Sequence, residues 1–524
     1  MEVPLTPLEF ARRTRRLHGH RTAVIDGDLR LTYEQFFGRC DRWSAALQGL
    51  GVAAGDRVAT IAPNTHAQLE SFYAVPQIGA VLVPINYRLS ADDFVYIINH
   101  SGSSVVCAHS DYLDVLDAVR DQLPGVRHFV AFEGGPRDGW VDYETAIANA
   151  APDVDRPEAG EGDLLTINYT SGTTARPKGV MMTHRNTHLN VVGTLIHLPM
   201  RMTDRYLWTL PMFHANGWTY VWVVTAVGGA HICLPKVDPP QVFHLVARER
   251  VTWMCAAPTV LIGLASAPPA VRAGSPRGVH VVTAGAPPAA ATIERIEGEL
   301  GWTISQVYGM TETAPFITIC ESRPDHEALS LPDRARIKAR QGVELITSGQ
   351  LRVVDEQMND VAMDGQTIGE IVVQGNVVMK GYYQDPDATA LAFRGGWMHT
   401  GDAAVMHPDR YVEIRDRIKD IIISGGENIS SVEVEATLLR HPAVQEAAVV
   451  GLPDAHWGEA PHAFVVLKAD AAASADDIRQ FTRERLAHFK CPHSVTFLKE
   501  LPKTATGKIQ KFVLRGNRAA IAAQ

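Results

Sequence analysis

The chain has 524 residues, of which 46% are hydrophobic and 20% are charged. This composition excludes an intrinsically disordered protein, and the length predicts two to four folding units around a large apolar core. The net charge of −9 excludes the broad basic surface of a nucleic-acid-binding protein. A few lysines and backbone N–H groups would still suffice to bind a small phosphate compound.

Short apolar runs alternate with longer amphipathic stretches through the first four hundred residues. Residues 58–63, 81–85, 105–108 and 164–168 have the length and apolar character of buried strands. Such alternation is typical of an α/β protein with mostly parallel sheets flanked by helices. The segment 151–163, rich in Pro, Asp and Glu, is predicted to be a surface connector.

The signals for export and for membrane insertion are weak. The first residues contain four arginines between positions 12 and 16 and no apolar region, so we expect no signal peptide. Residues 217–234 form the most apolar stretch, but Gly228, Gly229 and His231 interrupt it. We therefore expect a core segment and no membrane span. The six cysteines include no CxxC pair, which favours reduced thiols and a cytoplasmic location.

The last hundred residues have the pattern of a separate α+β unit. Ser430 and Ser474 each precede an acidic residue by three positions, a capping-box spacing that predicts the start of a helix. The second helix is expected to keep its apolar face as far as Phe489. Residues 447–450 and 463–467 are predicted strands.

A charged stretch, residues 415–420, is the predicted boundary between two domains. The first, residues 1–418, would be a large domain of several subdomains with mostly parallel sheets flanked by helices. The second, residues 419–524, would be the small α+β domain. The predicted fold class is therefore α/β with a C-terminal α+β unit.

The most informative segment reads YTSGTTARPKG and occupies residues 169–179. It places four Ser/Thr hydroxyls, two glycines and a lysine in one loop between two apolar runs. Glycines let backbone N–H groups approach an anion, hydroxyls donate hydrogen bonds and Lys178 supplies positive charge. Each charge-assisted hydrogen bond would contribute roughly 1.5–3 kcal/mol to holding the anion. The loop is not a Walker A sequence. Its composition alone is equally that of a flexible polar surface loop.

The complete string resembles the signature loop of the adenylate-forming superfamily, which comprises acyl-CoA synthetases, peptide-synthetase adenylation domains and luciferases. QVYGMTE at 306–312, WMHTGD at 397–402 and PKTATGK at 502–508 resemble further motifs of that superfamily, and the similarity covers nearly the full length. The resemblance implies ATP, Mg²⁺ and coenzyme A as cofactors and a small carboxylic acid as substrate. The acid would become an acyl-adenylate with release of pyrophosphate and would then be transferred to a thiol.

The resemblance also implies the role of each matching residue. Tyr308 would pack on adenine, Thr311 would contact the α-phosphate and Glu312 would bind Mg²⁺, for which a carboxylate is a suitable ligand. Asp402 and Arg417 would contact the ribose. The remaining nucleotide positions would be Thr170, Ser171, Gly172, Thr173, Thr174, Lys178, Gly285, Ala286 and Pro287.

The C-terminal domain would carry the catalytic lysine, Lys508. Adenylation brings two anions together, and Lys508 with a divalent ion on Glu312 would neutralise both. Lys508 would then obstruct the thiol, so the resemblance implies a mobile domain that turns at the hinge residue Lys419 and presents Gly425 and Gly426 to the pantetheine arm.

The acyl pocket is predicted from PMFH at 211–214, which resembles the superfamily motif beside the acyl group. We expect His214, Trp218 and Met310 to line the pocket, with His214 also counted among the catalytic residues. Plain core packing is the alternative for Trp218 and Tyr220. These segments contain no Arg or Lys for a second carboxylate, so a monocarboxylic acid is favoured, of fatty or of aryl or cinnamic type.

Three classes of function remain open from the sequence. The favoured one is an acyl-CoA synthetase. The second is an adenylating enzyme that passes the acid to a carrier-protein thiol or a nitrogen nucleophile. The third is a luciferase-like oxidative enzyme or a nucleotide-binding protein without catalysis, against which the intact Glu312, Asp402 and Lys508 argue. One departure from the superfamily is that Ser430 and Ser431 replace its usual proline. A homodimer is compatible with the sequence.

Overall fold

The computed structural model describes residues 1–151, 153–170, 176–286, 288–425, 427–454, 456–469, 471–503 and 509–516. The strands are β1 (Thr22–Asp26), β2 (Leu29–Thr32), β3 (Arg57–Ile61), β4 (Val81–Pro84), β5 (Val105–Ala108), β6 (His128–Ala131), β7 (Val141–Asp142), β8 (Leu164–Thr170), β9 (Lys178–Thr183), β10 (Arg205–Leu207), β11 (Ala230–Ile232), β12 (Trp253–Ala256), β13 (His280–Thr283), β14 (Thr303–Gly309), β15 (Phe316–Ile319), β16 (Val343–Glu344), β17 (Gln350–Val354), β18 (Gly369–Gln374), β19 (Gly381–Tyr382), β20 (Met398–Met406), β21 (Val412–Arg417), β22 (Ile422–Ser424), β23 (Glu427–Ile429), β24 (Val444–Asp454), β25 (Gly458–Leu467) and β26 (Ser494–Phe497).

The α-helices are α1 (Leu8–His18), α2 (Tyr33–Gly49), α3 (His66–Ala74), α4 (Ala91–Ser101), α5 (Leu113–Ala118), α6 (Tyr143–Asn149), α7 (His184–His197), α8 (Ala215–Trp218), α9 (Tyr220–Val227), α10 (Pro239–Arg248), α11 (Pro258–Ser266), α12 (Pro269–Arg272), α13 (Ala290–Arg295), α14 (Pro324–Glu327), α15 (Leu331–Lys338), α16 (Pro386–Ala392), α17 (Ser431–Leu438), α18 (Ala475–Arg483) and α19 (Lys511–Gly516).

Two large sheets form the first four hundred residues. One has nine strands in the order β16-β15-β14-β13-β12-β10-β11-β1-β2, and the other has eight in the order β19-β9-β8-β4-β3-β5-β6-β7. The central strands of both pair in parallel. Their largest shared core includes Trp43, Phe72, Trp208 and Trp222. The predicted α/β class with mostly parallel sheets is confirmed.

Two smaller sheets complete the architecture. The first is antiparallel, with the order β17-β18-β20-β21. It lies within the predicted large domain, and its separate, antiparallel character was not predicted. The second contains β22 to β26 and is antiparallel except for the pair β25 and β26. Helices α17, α18 and α19 pack beside it, which agrees with the predicted C-terminal α+β unit.

The buried strands lie where the apolar runs predicted them. β4 and β5 are buried along their whole length, which explains why neither alternates polar and apolar residues. The connector at 151–163 has no helix or strand in its described residues. The side chain of Ser430 caps α17 by accepting from the Glu433 N–H, and Ser474 makes a complete capping box with Asp477.

One predicted helix is too long. α18 ends at Arg483, and Phe489 is 40% exposed, so the apolar spacing up to Phe489 did not indicate a continuous helix. The chain folds back across α17, where Lys490 Nζ lies 2.8 Å from Glu433 Oε2. In the connection after α18, Leu486 packs against the core of the small domain.

The apolar stretch 217–234 is buried as α9 and β11, in agreement with its prediction as core. In the part of the chain that the structure describes, we find no helix with both the length and the apolar character needed to cross a bilayer. All six cysteines are buried as free thiols.

Candidate active site

A triad of side chains, in which Tyr308 and Asp402 are buried and Arg417 is partly exposed, joins the QVYGMTE motif to the WMHTGD motif. The Tyr308 hydroxyl, at the end of β14, donates to Asp402 Oδ2 at 2.6 Å. Arg417 Nε lies 2.8 Å from Asp402 Oδ1, and Arg417 Nη1 donates to the Thr400 carbonyl at 3.1 Å. The register of β20 with β21 sets Asp402 directly opposite Arg417. The structure thus brings together three of the predicted nucleotide-binding residues.

The charges of this triad reinforce one another. The Asp402 carboxylate raises the pKa of Arg417, which stays a cation. Burial, together with the adjacent carboxylate, raises the pKa of Tyr308 well above its usual value, so its hydroxyl remains a neutral donor. Each Asp402 oxygen has a second lone pair available for a further donor. Asp402 can therefore accept hydrogen bonds from the hydroxyl groups of a ligand while it keeps its contacts with Tyr308 and Arg417.

A second cluster joins the end of the phosphate loop to Glu312. The Tyr382 hydroxyl donates to Glu312 Oε1 at 3.0 Å, and Lys178 Nζ lies 4.9 Å from the centroid of the Tyr382 ring. Glu312 is only 7% exposed. A lysine and a carboxylate therefore contact the same tyrosine, an arrangement suited to a phosphate group with a divalent cation. Tyr382 was not predicted as a site residue, because it lies in β19, outside every motif that the sequence offers.

Backbone packing explains the glycine of the QVYGMTE motif. A Cβ atom at Gly309 would lie 1.8 Å from the Pro315 carbonyl oxygen. The chain therefore turns tightly from β14 into the short helical turn Thr311–Thr313, which holds Thr311 and Glu312 in buried positions. Met310, predicted as a pocket wall, is half-buried at the start of this turn.

The predicted nucleotide-contacting residues Gly285 and Ala286 follow β13, which pairs in parallel with β14. The carboxyl ends of parallel strands form one edge, so Gly285 and Ala286 lie at the same edge as Tyr308. Both residues are exposed, and Gly285 has φ +91°. The buried Thr283 Oγ1 and Gln306 Oε1 near this edge have no hydrogen-bond partner within the described ranges.

These observations test whether a nucleotide with its metal ion would fit the residues present. A purine nucleotide suits three features of this region: the unpaired polar atoms of Thr283 and Gln306, the exposed turn at Gly285, and the Asp402 carboxylate with lone pairs free for ribose hydroxyls. Glu312 is an oxygen ligand of the kind that Mg²⁺ requires. The donor set therefore fits both groups.

The short element α8 is a left-handed turn, not a regular right-handed helix, and it forms the predicted acyl side of the site. Residues 215–219 all have φ between +44° and +68°, a conformation that costs roughly 1–2 kcal/mol for each residue other than glycine. Asn216 compensates by hydrogen bonds, because its Nδ2 donates to Thr166 Oγ1 at 2.9 Å and its Oδ1 accepts from Asn168 Nδ2 at 3.0 Å. Backbone strain of this kind concentrates at functional sites.

The turn holds Trp218 in a fixed position. Trp218 is 4% exposed, its ring meets Phe316 edge to face with centroids 6.0 Å apart, and the His214 ring lies 6.5 Å away. Tyr220, by contrast, is fully buried and stacked on Tyr206, so core packing is the correct interpretation for Tyr220. Trp218 therefore bridges the PMFH segment and the strand that follows the QVYGMTE motif.

The boundary between the predicted domains carries Lys419 on its surface. Lys419 is exposed, whereas the neighbouring Asp416 is buried and accepts from the Ser431 backbone N–H at 2.8 Å. Ser431 belongs to the Ser430-Ser431 pair that replaces the superfamily's usual proline, and it uses an N–H that proline lacks. Beyond the boundary, Gly425 has φ +61° and its N–H donates to the Trp457 carbonyl at 2.9 Å.

The structure leaves several predicted site residues outside its described ranges. Thr170 and Lys178 are described at the ends of β8 and β9, and the residues between them include most of the predicted phosphate loop. The predicted positions outside the described residues are Ser171, Gly172, Thr173, Thr174, Pro287, Gly426 and Lys508. Their roles stay predictions.

Comparison with known proteins agrees with this site. The AMP-binding enzyme family matches residues 10–383, and the AMP-binding enzyme C-terminal domain matches residues 433–508. The chain is 42% identical to 4-hydroxybutyrate–CoA ligase 2 of Metallosphaera sedula, over 98% of this chain and 95% of that protein. It is also 42% identical to the peroxisomal acetate/butyrate–CoA ligase AAE7 of Arabidopsis thaliana, over 98% of this chain and 94% of that protein.

Among solved structures, the anthranilate CoA ligase AuaEII in complex with anthranoyl-AMP superposes with a TM-score of 0.90. It is 26% identical and covers 100% of this chain and 99% of its own. The chain belongs to the AMP-binding enzyme family, within the adenylate-forming superfamily. The prediction of an acid–thiol ligase is confirmed at this level, and the protein is an enzyme of the acyl-CoA synthetase class.

Proposed function

We propose that the enzyme joins a short aliphatic monocarboxylic acid, of about two to five carbons, to coenzyme A at the expense of ATP. The observation that carries this choice of acid is the buried Trp218, which the hydrogen-bonded left-handed turn holds against Phe316. A wall this bulky and this rigid shortens an acyl pocket. The two curated relatives are named for acids of two to four carbons, which supports the same size class.

In the adenylation step, the Tyr308–Asp402–Arg417 triad orients the nucleotide. Asp402 accepts the two ribose hydroxyls through its remaining lone pairs, and Arg417 holds the carboxylate in place. Thr311 and Lys178 donate to phosphate oxygens. When bound at Glu312, Mg²⁺ supplies positive charge to the phosphates. Lys508 neutralises both the acid and the α-phosphate as the pyrophosphate leaves.

For the transfer step, we place the domain boundary after residue 418 and the hinge at Lys419. The exposed position of Lys419 between buried anchors at Asp416 and Asp420 supports a pivot there. Turning at this point carries Lys508 away from the adenylate and brings Gly425 and Gly426 towards the thiol. The six buried free thiols support a cytoplasmic location.

Pyrophosphate release over a panel of acids, with and without coenzyme A, tests this function. We expect the highest kcat/KM for acids of two to five carbons, with thioester formed only when coenzyme A is present. Adenylate delivered to an amine or carrier instead of coenzyme A would favour the second class of function. Light scattering of the same preparation distinguishes a monomer from the homodimer that the sequence allows.

The Trp218→Leu variant tests the pocket wall. It should extend the preferred acid by several carbons and raise the KM of short acids, because the cavity lengthens. Trp302→Leu is the matched control, since Trp302 is an equally buried tryptophan in a different core cluster and should leave the order of preference unchanged. An unaltered preference in Trp218→Leu, or a wild-type enzyme that prefers aryl acids, would overturn the assignment.

A further inference from the structure

Four polar side chains converge at an edge of the molecule that the proposed reaction does not use. β3, β5 and β6 are parallel neighbours, and His66, His109 and Glu133 follow their carboxyl ends. Asp26 reaches the same point from the end of β1 in the other large sheet. We name Asp26, His66, His109 and Glu133 the strand-edge cluster. The carboxyl edge of parallel strands is the usual place for a ligand site in such folds.

The distances within the cluster suit a small cation. His66 Nδ1 lies 2.7 Å from Asp26 Oδ2, and His109 Nε2 lies 3.2 Å from Glu133 Oε2. One ligand atom each from Asp26, His66 and Glu133 lie within 4.8 Å of one another, so a point within about 2.8 Å of all three exists. Zinc bonds to nitrogen and oxygen are about 2.0–2.2 Å long. Side-chain shifts of less than about 1 Å would bring these three atoms to that length. His109 lies beside Glu133 but outside this group of three, so it must move further to become the fourth ligand.

Further carboxylates flank the two histidines of the cluster, and one of them, Glu144, also pairs with Arg39. Besides the cluster's own two carboxylates, Glu144 Oε1 lies 3.4 Å from His66 Nε2 and Asp111 Oδ2 lies 3.4 Å from His109 Nδ1. Each imidazole therefore has one nitrogen towards the cluster and the other towards an outer carboxylate. This is the arrangement that orients metal-bound histidines and raises their basicity.

We propose that the strand-edge cluster binds one Zn²⁺ ion through Asp26, His66, His109 and Glu133. Two imidazoles with two carboxylates form a donor set that zinc accepts and that Mg²⁺, which prefers oxygen alone, does not. Because Asp26 ends a strand of one large sheet and the other three ligands follow strands of the second, the ion would brace the two sheets against each other. The cluster shares no residue with the triad or with Glu312.

The test uses the full-length protein, stripped with a chelator and then titrated with zinc chloride by calorimetry. We expect about one zinc per chain and a rise in the thermal unfolding midpoint on addition of zinc. Glu133→Gln should weaken zinc binding by at least about tenfold. Glu133 is partly exposed, with 40% of its side chain accessible, so the variant should fold and keep its Mg-ATP-dependent activity.

Three further variants make the result decisive. Glu312→Gln should retain the zinc, which separates this site from the nucleotide's metal site. Asp111→Asn removes only an outer carboxylate and should weaken zinc binding less than His109→Ala, which removes a ligand. The proposal is overturned if the stripped protein takes up no stoichiometric zinc, or if Glu133→Gln binds it as the wild type does. The cluster would then be a network of ion pairs only.

Discussion

The left-handed turn at 215–219 makes a quantitative prediction about Gly217. Its φ is +57°, and an added Cβ would lie 2.4 Å from Trp208 Cζ3 and 2.8 Å from Trp208 Cη2. Gly217→Ala therefore combines the cost of a left-handed residue, roughly 1–2 kcal/mol, with overpacking of a fully buried indole, about 1–3 kcal/mol. We expect a loss of about 2–5 kcal/mol in the free energy of unfolding.

Gly27→Ala supplies the control, because Gly27 has nearly the same φ, +58°, with nothing within 4 Å of its added Cβ. That variant should lose only roughly 1–2 kcal/mol. Urea titrations followed by tryptophan fluorescence measure both losses. In Gly217→Ala the KM for the acid should also rise, since the turn carries Trp218. Equal losses in the two variants, with an unchanged KM, would refute the role of the turn.

Three further predictions concern charge. Asp402→Asn removes the charge that pairs with Arg417 at 2.8 Å and weakens the acceptor proposed for the ribose hydroxyls. The KM for ATP, measured by ATP–pyrophosphate exchange, should therefore rise by at least about tenfold. An unchanged KM would show that Asp402 does not bind the ribose. Lys511→Met leaves the Glu435 carboxylate, 2.9 Å from Lys511 Nζ, without its buried partner and should destabilise the C-terminal domain by about 3 kcal/mol. Limited proteolysis should therefore cleave that domain faster in Lys511→Met than in Lys511→Arg, which keeps the charge. Equal cleavage of the wild type and Lys511→Met would contradict the pairing. Burial lowers the pKa of His231 to about 3 in the folded protein, so as the pH falls the unfolded chain protonates this histidine at a higher pH than the folded one does. The free energy of unfolding should therefore decrease as the pH falls from about 6.5 towards 3, by up to about 1.4 kcal/mol per pH unit. Denaturation midpoints at pH 7 and pH 5 measure the loss, and His231→Gln should lose less stability over the same interval.

Local signals in the chain were sufficient for the class of fold and for much of the active site. The apolar runs at 81–85 and 105–108 became buried parallel strands because both of their faces are covered. Tyr308 and Asp402 were named from motifs, and the structure brings them within hydrogen-bond distance. A motif carries such information because the chemistry requires particular side chains at fixed spacing along the chain.

Contacts between distant segments were beyond sequence reasoning. Tyr382 contacts Glu312 although the two are 70 positions apart. Similarly, α18 stops at Arg483, and Lys490 beyond it pairs with Glu433 on another helix.

The sequence by itself therefore determined the reaction class, because the motif residues act together in one reaction. It also determined those helices and strands whose hydrophobic pattern lies within one short segment. Only the tertiary structure decided the left-handed turn beneath Trp218, the partner of Glu312 and the meeting of His66, His109 and Glu133 at one edge. The physical reason is that hydrophobic periodicity and capping act over a few residues of one segment. Close packing and buried hydrogen bonds, in contrast, depend on which segments the folded chain places side by side.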